Sequence, residues 1–401
     1  MNINRRKFLS QSLAASAGLA ALPSLAGSRP SREKYRVAII GCGRMGQYFA
    51  EVYRALPDTE LVAIAEWNPE RRKVVGERFG VKALFKDVNA MLKEVVPDLA
   101  AVITPSKYMK EAVIACAEAG VKGVSTDKPM AARLADADAM VEACRKRGVV
   151  FAGGNLQRAM PEIQEAGQRL NSGRYGRPLG MAVHGFGGEI SGGGCQHISV
   201  LRLFAGAEVE EVMAWAGPPE ALKQKDDKGL NVNALFRMSR GPDCQVFGLT
   251  QPYGTRQLSG VDVWSEDTLV RWKWAKPEIY QGTESGGSRR LIDPGYRPFA
   301  WRRILDQVPG LRKGDDYLVA SIRSFVDAVR SGSELWISGH DLRQALEVAI
   351  ACKQSALRGN RPVKLPLQDR SLALYPRPYR WLGGDATENP QSSEDAAGGI
   401  L

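Results

Sequence analysis

A strand that runs into a glycine-rich turn and then a helix constrains the fold of this chain more than any other feature. A run of β-branched and apolar residues over 35–40 is followed by Gly-Cys-Gly-Arg-Met-Gly over 41–46, where a helical pattern begins. Glycines in such a turn allow the helix to pack closely on the preceding strand. The chain therefore starts with a βαβ unit, which requires a parallel sheet.

The same turn indicates a site for a dinucleotide. Its backbone can approach a pyrophosphate, and the N-terminus of the following helix favours the negative charge. A second predicted strand, 61–65, ends at Glu66, which lies 20 residues after Gly46. An acid at this position holds the adenosine ribose and repels a 2′-phosphate, which favours NAD(H). Arg71 and Arg72 close by leave NADP(H) open.

Strands continue to alternate with helices as far as residue 152. We predict strands over 81–84, 99–104, 121–125 and 149–152, with helices over 107–119 and 135–147. Two polar segments come where strands end, Thr-Pro-Ser over 104–106 and Asp-Lys-Pro over 127–129. Because ligands bind at the carboxyl ends of parallel strands, both segments are predicted to face the dinucleotide.

Together with the glycine turn, these segments resemble the TPxxxH and EKP signatures of the Gfo/Idh/MocA family of nicotinamide-dependent sugar oxidoreductases. The resemblance covers about residues 35–366, with Asp127 in place of the usual Glu and Met109 where a His is common. It implies an α/β fold with an N-terminal Rossmann domain and a C-terminal α/β domain that holds a large, mostly antiparallel open sheet. It also implies a homodimer or homotetramer, because the exposed face of that sheet commonly forms the dimer in the family.

Lys128 is the main catalytic group that the resemblance implies. In the family this lysine hydrogen-bonds the substrate hydroxyl, and its charge stabilises the alkoxide that develops as hydride leaves. Gln157 and Arg158 resemble a polar pair that lines the cofactor and substrate cleft. The residues predicted to bind the cofactor are Gly41, Cys42, Gly43, Arg44, Met45, Gly46, Glu66, Arg71, Thr104, Pro105, Ser106, Asp127 and Lys128.

The second half of the chain alternates with period two, which is typical of antiparallel strands with one covered face. The predicted strands cover 179–186, 209–215, 231–238, 245–250, 257–264 and 268–274. Residues 276–313, rich in Gly, Pro, Tyr and Arg, are predicted to be a long irregular loop near the site or an interface. Helices are predicted over 161–170, 317–330 and 342–358.

The start of the second domain departs from the family pattern. Most members carry DxGxH there, with the histidine as proton acceptor and the aspartate orienting it, whereas residues 191–197 read Ser-Gly-Gly-Gly-Cys-Gln-His. A gap-free alignment from Gly206 puts Gln196 in the histidine column and Gly192 in the aspartate column. An alignment with one gap puts His197 in the histidine column instead. A histidine is a suitable base near neutral pH, so His197 is the second catalytic candidate. Gln196, His197 and His184 join the predicted substrate residues.

Residues 1–26 have the form of an export signal. Arg5, Arg6 and Lys7 precede a mildly apolar run over 13–22, which is too short to span a bilayer, and small residues follow. Paired arginines followed by Phe-Leu resemble the twin-arginine motif. We therefore expect passage through the twin-arginine export machinery, a periplasmic location and no stable membrane span in the mature form. A tightly bound cofactor is expected too, because little free nicotinamide exists outside the cytoplasm.

These patterns divide the chain into a signal peptide with a short linker (1–33), a Rossmann domain (34–155), a substrate-binding and oligomerisation domain (156–384) and a disordered tail (385–401). The net charge is +11, but the basic residues are interleaved with acidic residues rather than clustered. Nucleic acid is therefore not expected as a partner. The six cysteines lack CxxC spacing, and none of the three histidines is paired at metal-ligand spacing. A metal site is therefore not expected.

The sequence thus favours an enzyme that transfers hydride between a bound nicotinamide and a hydroxyl or carbonyl of a sugar, polyol or related carbohydrate. Two alternatives stay open. A hydrolase could use bound NAD for transient oxidation and elimination of a glycosidic bond, and the altered DxGxH segment fits that departure. A protein that binds carbohydrate or cofactor without catalysis could also retain the fold.

Overall fold

The computed structural model describes residues 33–249, 259–292, 294–308 and 317–383. The predicted signal peptide and the predicted tail lie outside this part, as does the start of the strand predicted over 257–264. Within the described ranges, no helix has the length and apolar character needed to cross a membrane. The same ranges contain no group of three or more His, Cys, Asp or Glu side chains placed to hold a metal ion.

The first domain is built on a parallel six-stranded sheet with the order β3-β2-β1-β4-β5-β6. Its order reverses between β1 and β4, which opens a crevice at their carboxyl ends. The strands are β1 (Tyr35–Ile40), β2 (Thr59–Ala65), β3 (Leu84–Phe85), β4 (Leu99–Val102), β5 (Gly123–Thr126) and β6 (Val150–Ala152). The helices are α1 (Arg44–Ala55), α2 (Pro69–Phe79), α3 (Val88–Leu92), α4 (Ser106–Glu118) and α5 (Leu134–Arg147).

Burial and local chemistry explain these elements. Strand β4 is buried at all four positions, which is typical of a central parallel strand covered by helices on both faces. Helix α2 begins where the Asn68 side chain accepts a hydrogen bond from the Arg71 amide, and it ends at Gly80 in the left-handed region. The alternation of strands and helices predicted from the sequence is confirmed, with boundaries that differ by a few residues.

The second domain is built on a nine-stranded sheet with the order β14-β13-β12-β11-β7-β10-β9-β8-β15. Only the pair β7–β10 is parallel, so the predicted mostly antiparallel open sheet is confirmed. The strands are β7 (Pro178–His184), β8 (Val209–Gly217), β9 (Asn231–Met238), β10 (Cys244–Phe247), β11 (Gly260–Ser265), β12 (Thr268–Trp272), β13 (Glu278–Gly282), β14 (Ser288–Arg290) and β15 (Val363–Lys364).

Helices cover one face of this sheet. Those that contact the sheet are α7 (Gly193–Ala205), α8 (Pro219–Lys223) and α10 (Gly339–Leu357), and α6 (Pro161–Asn171) packs on α7. The remaining two helices, α9 (Tyr317–Ser331) and α11 (Pro378–Leu382), pack on elements of the first domain. Helix α7 is buried at most positions because α6 and α10 pack on it from outside the sheet. Short 3₁₀ helices cover Gln157–Ala159 and Arg302–Gln307.

The stretch predicted as irregular, 276–313, is only partly so. It contains β13, β14 and the second 3₁₀ helix. Its strands lie at the edge of the sheet, where β14 is fully exposed and polar, so no hydrophobic alternation marked it in the sequence.

The other face of the sheet carries exposed apolar side chains. On β8, β9 and β10, buried residues that face the helices alternate with more exposed residues that face outward. Trp264 of β11 also faces outward and is exposed. The exposed large residues on this outer face are Trp215, Leu235, Phe247 and Trp264. Several large apolar side chains exposed on one face of a sheet are typical of an interaction surface.

Candidate functional site

The glycine turn after β1 has the geometry that a dinucleotide needs. Gly41 has φ of +88°, and a Cβ there would lie 2.6 Å from the Ile103 carbonyl oxygen. A Cβ on Gly46 would collide with the Gly41 carbonyl oxygen, so both positions require glycine. Helix α1 has neither a side-chain cap nor an acid in its first turn, which leaves amide donors for an anion.

Glu66 closes one side of this turn. One carboxylate oxygen accepts a hydrogen bond from the Cys42 amide at 2.7 Å, and the other accepts from the Asn68 amide at 3.0 Å. Arg71 lies 3.3 Å from the second oxygen, and both side chains are buried. A carboxylate has further lone pairs for ribose hydroxyls. Arg71 thus contacts the acid itself, which the sequence did not indicate.

The two polar segments at the ends of β4 and β5 meet directly. The Ser106 hydroxyl donates to the Pro129 carbonyl oxygen at 2.6 Å and is buried. The Lys128–Pro129 peptide bond is cis. The Thr104 hydroxyl is also buried and has no hydrogen-bond partner within the described residues. An unpartnered hydroxyl beside the glycine turn fits a site that is completed by a ligand.

Lys128 is half-buried at the boundary between the two domains. Next to it, Asp127 accepts a long hydrogen bond from the Asn155 amide at 3.3 Å. The Cys195 thiol on α7 is buried, and burial raises its pKa to about 12. The charges of Lys128 and Asp127 both act on that thiol, in opposite directions. Cys195, on the first turn of α7, is therefore within electrostatic range of the predicted catalytic lysine.

Gln196 and His197 point to different environments. The Gln196 side chain accepts a hydrogen bond from the Gln157 amide at 2.8 Å and donates to the Asn155 carbonyl at 3.5 Å. Because the Asn155 amide donates to Asp127, Gln196 lies beside the loop that contacts Asp127. Trp272 donates to the Gln157 side chain at 3.2 Å, which fixes this group. Gln196 and Gln157 therefore belong to the cluster around Lys128.

His197 instead lies in an aromatic cluster with Phe186, Trp272 and Trp274. It is 2% exposed, and burial lowers its pKa to about 4. Trp274 donates to the Ser259 hydroxyl, so that hydroxyl is free to donate to His197 Nε2 at 2.9 Å. His197 as proton acceptor stays a prediction, and this environment argues against it because substrate must reach a base.

Two other predicted substrate residues lie apart from Lys128. His184 stacks on Phe247 and lies 3.2 Å from Asp262 on the outer face of the second sheet. Arg158 donates to the Trp336 and Ser199 carbonyls and is buried among helix ends. His184 faces outward because side chains alternate between the two faces of β7. The position of Arg158 follows from the packing of the 3₁₀ helix that carries it.

Two residues of the site were missed by the sequence analysis. Glu189, which is 7% exposed, forms an ion pair with Arg380 of α11 at 2.6 Å, and both charges act on the Cys195 thiol. No spacing rule links positions so far apart in the chain. The one signal in the sequence was Gly192 in the aspartate column, which could have prompted a search for another carboxylate near that position.

Comparisons with known proteins agree with this geometry. Residues 35–154 match the Gfo/Idh/MocA family described as "Oxidoreductase family, NAD-binding Rossmann fold". The myo-inositol 2-dehydrogenase of Thermotoga maritima is 26% identical over 349 residues, which cover 82% of this chain and 98% of that protein. The D-apiose dehydrogenase of Paraburkholderia graminis is 34% identical over 147 residues, and the match spans 37% of this chain and only 39% of that protein.

A levoglucosan dehydrogenase solved in complex with NADH shares the fold. Its TM-score is 0.70 at 20% identity, and the match covers 84% of this chain and all of that one. The described two-domain architecture is therefore that of these proteins. Residues 35–154 are thus similar to the NAD-binding Rossmann fold of the Gfo/Idh/MocA oxidoreductases.

Proposed function

We propose that this protein is an NAD(H)-dependent oxidoreductase that acts on a hydroxyl or carbonyl of a sugar, polyol or related carbohydrate, with Lys128 as its main catalytic group. The observation that carries the proposal is the contact between Ser106 and Pro129. It joins the ends of β4 and β5 beside the glycine turn, so that Lys128 lies at the carboxyl edge where this fold binds its ligand.

The residues of the crevice fit a nicotinamide dinucleotide. The amides at the start of α1 and the close approach at Gly41 suit the diphosphate, and Glu66 suits the ribose hydroxyls. The unpartnered Thr104 hydroxyl lies further along the same edge. When bound, the cofactor supplies hydride transfer. The Glu66 carboxylate favours NAD(H), while the positive charge of Arg71 beside it partly offsets its repulsion of a 2′-phosphate, so NADP(H) is an outcome to be measured.

Lys128 would orient the reacting hydroxyl and stabilise the negative charge that develops on its oxygen. Lys128 is half-buried as a residue, and in such surroundings charges interact more strongly than in bulk water. Gln196 can hold a substrate hydroxyl but cannot take its proton, because an amide is not a base at neutral pH. Proton acceptance would therefore fall on a nearby carboxylate, because the charged ammonium of Lys128 has no lone pair.

One preparation tests this proposal directly. The full chain is purified, denatured, and its supernatant analysed by mass and absorbance for NAD(H) and NADP(H). We expect NAD(H), retained through purification because the cofactor is proposed to be tightly bound. Refolded or cofactor-stripped protein is then assayed with myo-inositol, D-apiose and levoglucosan. Absence of dinucleotide binding by calorimetry would overturn the proposal, and release of free sugar from aryl glycosides without net redox change would favour the hydrolase.

The apolar outer face of the second sheet supports a homo-oligomer. Trp215, Leu235, Phe247 and Trp264 are exposed there, and a second copy of the same face would cover them. Light scattering on the wild type and on Trp264→Glu tests this, with a fall toward monomer expected for the variant. Export through the twin-arginine pathway is part of the proposal as well, and Arg5→Lys/Arg6→Lys should retain the protein in the cytoplasm when cell fractions are compared.

A further inference from the structure

The chain after α10 crosses from one domain to the other over the candidate site. We call residues 370–383 the C-terminal strap. The Ala135 and Leu134 amides donate to the Arg370 and Leu372 carbonyls, and the Leu374 amide donates to the Ala132 carbonyl. The strap therefore runs alongside the segment that directly follows the cis Lys128–Pro129 bond.

The strap then enters the second domain. The Tyr375 carbonyl accepts from the Asp227 amide at 3.2 Å, and Arg377 donates to the Gly188 carbonyl at 3.4 Å. It ends at the first domain again, where a Cβ on Gly383 would lie 2.8 Å from the ring of Pro105. Its last turn thus lies between the end of β4 and the loop before α7.

Arg380 on this last turn forms the ion pair with Glu189 at 2.6 Å. The Arg380 side chain is about one quarter exposed, whereas the Glu189 side chain is nearly covered. A pair with one open edge keeps donors and acceptors available to a ligand in the cleft, since a guanidinium has five N–H donors and a carboxylate about four acceptor positions.

The Glu189 carboxylate occupies the space of a side chain at position 192. A Cβ built on Gly192 would lie 2.6 Å from one carboxylate oxygen and 3.2 Å from the other. Gly192 has φ of −100°, which any residue adopts, so the backbone does not require glycine there. The absent side chain at 192 makes room for the carboxylate of Glu189.

Two contacts bring the last turn of the strap near Lys128: Gly383 approaches Pro105, and the next residue, Ser106, donates to Pro129. Cys195 lies on the Glu189 side of this region, because it contacts Gly192. The thiol is buried on the first turn of α7 and donates to the Gly192 carbonyl. Lys128, Arg380, Asp127 and Glu189 all act on it electrostatically. The two cations and the two carboxylates balance in charge, which suits a neutral ligand with several hydroxyls.

We propose that Glu189 and Arg380 together bind hydroxyl groups of the carbohydrate, so that the C-terminal strap is a wall of the substrate site and a determinant of specificity. This inference rests on the proposed function. Glu189 accepts from one hydroxyl, and Arg380 donates to a neighbouring hydroxyl while it holds the carboxylate in place. Charge-assisted hydrogen bonds of this kind are stronger than those between neutral groups.

The test measures polyol binding separately from cofactor binding. Calorimetry is run on cofactor-stripped protein with NADH alone, and then on the same protein saturated with NADH with myo-inositol or levoglucosan as the titrant. The polyol used is the one that the wild type binds more tightly. Glu189→Ala and Arg380→Gln should each weaken polyol binding by at least about tenfold, which corresponds to about 1.4 kcal/mol. NADH affinity should stay within about twofold. Arg133→Gln, which removes an exposed cation near Tyr375 of the strap, is the matched control and should leave both affinities unchanged.

A rescue experiment excludes a merely structural role. Glu189→Ala opens the space beside Gly192, and Gly192→Asp added to it should place a carboxylate there and recover most of the polyol affinity. Polyol binding that stays within twofold in both single variants overturns the inference, as does a double variant that binds NADH but recovers no polyol affinity. A wild type that binds no dinucleotide would instead overturn the proposed function.

Discussion

The two halves of the site are specified in different ways. In the first domain each part is local: a glycine turn, an acid at a strand end, and two polar segments that follow strands, all in positions set by the parallel sheet. In the second domain the wall of the site combines Gln157, Gln196, Glu189 and Arg380, which come from four separate segments. The part of the site in the first domain can be predicted from local sequence patterns. The part in the second domain forms only when distant segments pack together.

The largest effect is expected where the first half supplies the chemistry. Lys128→Met should lower turnover by roughly 10²- to 10⁴-fold, because the charge that stabilises the developing oxyanion is removed. NAD(H) affinity and the melting temperature should change little. Lys107→Met removes an exposed lysine of α4 and is the control. A Lys128 variant that keeps wild-type turnover would place the chemistry elsewhere.

The next effect distinguishes Gln196 from His197. His197→Ala should destabilise the protein by about 3 kcal/mol, since it opens a cavity among Phe186, Trp272 and Trp274, with little change in turnover of the folded enzyme. Gln196→Ala should instead raise the KM for the carbohydrate and lower the stability of the fold only modestly. Denaturant unfolding and steady-state kinetics on both variants decide this, and loss of turnover in a fully stable His197 variant would restore His197 as the proton acceptor.

A pH experiment probes the buried acid next to α7. Burial raises the pKa of Asp227 to about 6, while its carboxylate accepts from the Ser191 amide at 2.6 Å. A raised folded-state pKa stabilises the fold below the unfolded value near 4, and this contribution is lost as pH rises toward 6. Asp227→Asn should therefore be more stable than wild type at pH 7 by about 2 kcal/mol and similar at pH 4.

The control for that experiment is Asp226→Asn, which changes the half-buried neighbour. Thermal unfolding between pH 4 and 7 gives the comparison. His197 acts in the opposite direction over part of this window, because its lowered pKa removes stability as pH falls from 6.5 toward 4. Equal pH profiles for wild type and Asp227→Asn would show that the carboxyl group is not perturbed.

The smallest effect concerns cofactor choice. Glu66→Ala should weaken NAD⁺ binding by about tenfold, or about 1.4 kcal/mol, with a smaller loss for NADP⁺ because the repelling charge is gone. Fluorescence titration with both dinucleotides measures this ratio, and Glu70→Ala on the exposed start of α2 serves as control. An unchanged ratio would mean that Glu66 only supports the turn through the Cys42 amide.

The sequence by itself determined the first sheet and its ligand edge. Gly46 is required by its contact with Gly41 inside one strand–turn–helix unit, and Gly41 has a positive φ in the same turn. The parallel arrangement of the strands follows from the alternation of short apolar runs with helices. Tertiary structure alone decided that His184 faces outward, since one step along β7 changes the face of the sheet. It also decided that Glu189 fills the space beside Gly192 and meets Arg380. Such contacts depend on how separate segments pack, and no local pattern of residues records them.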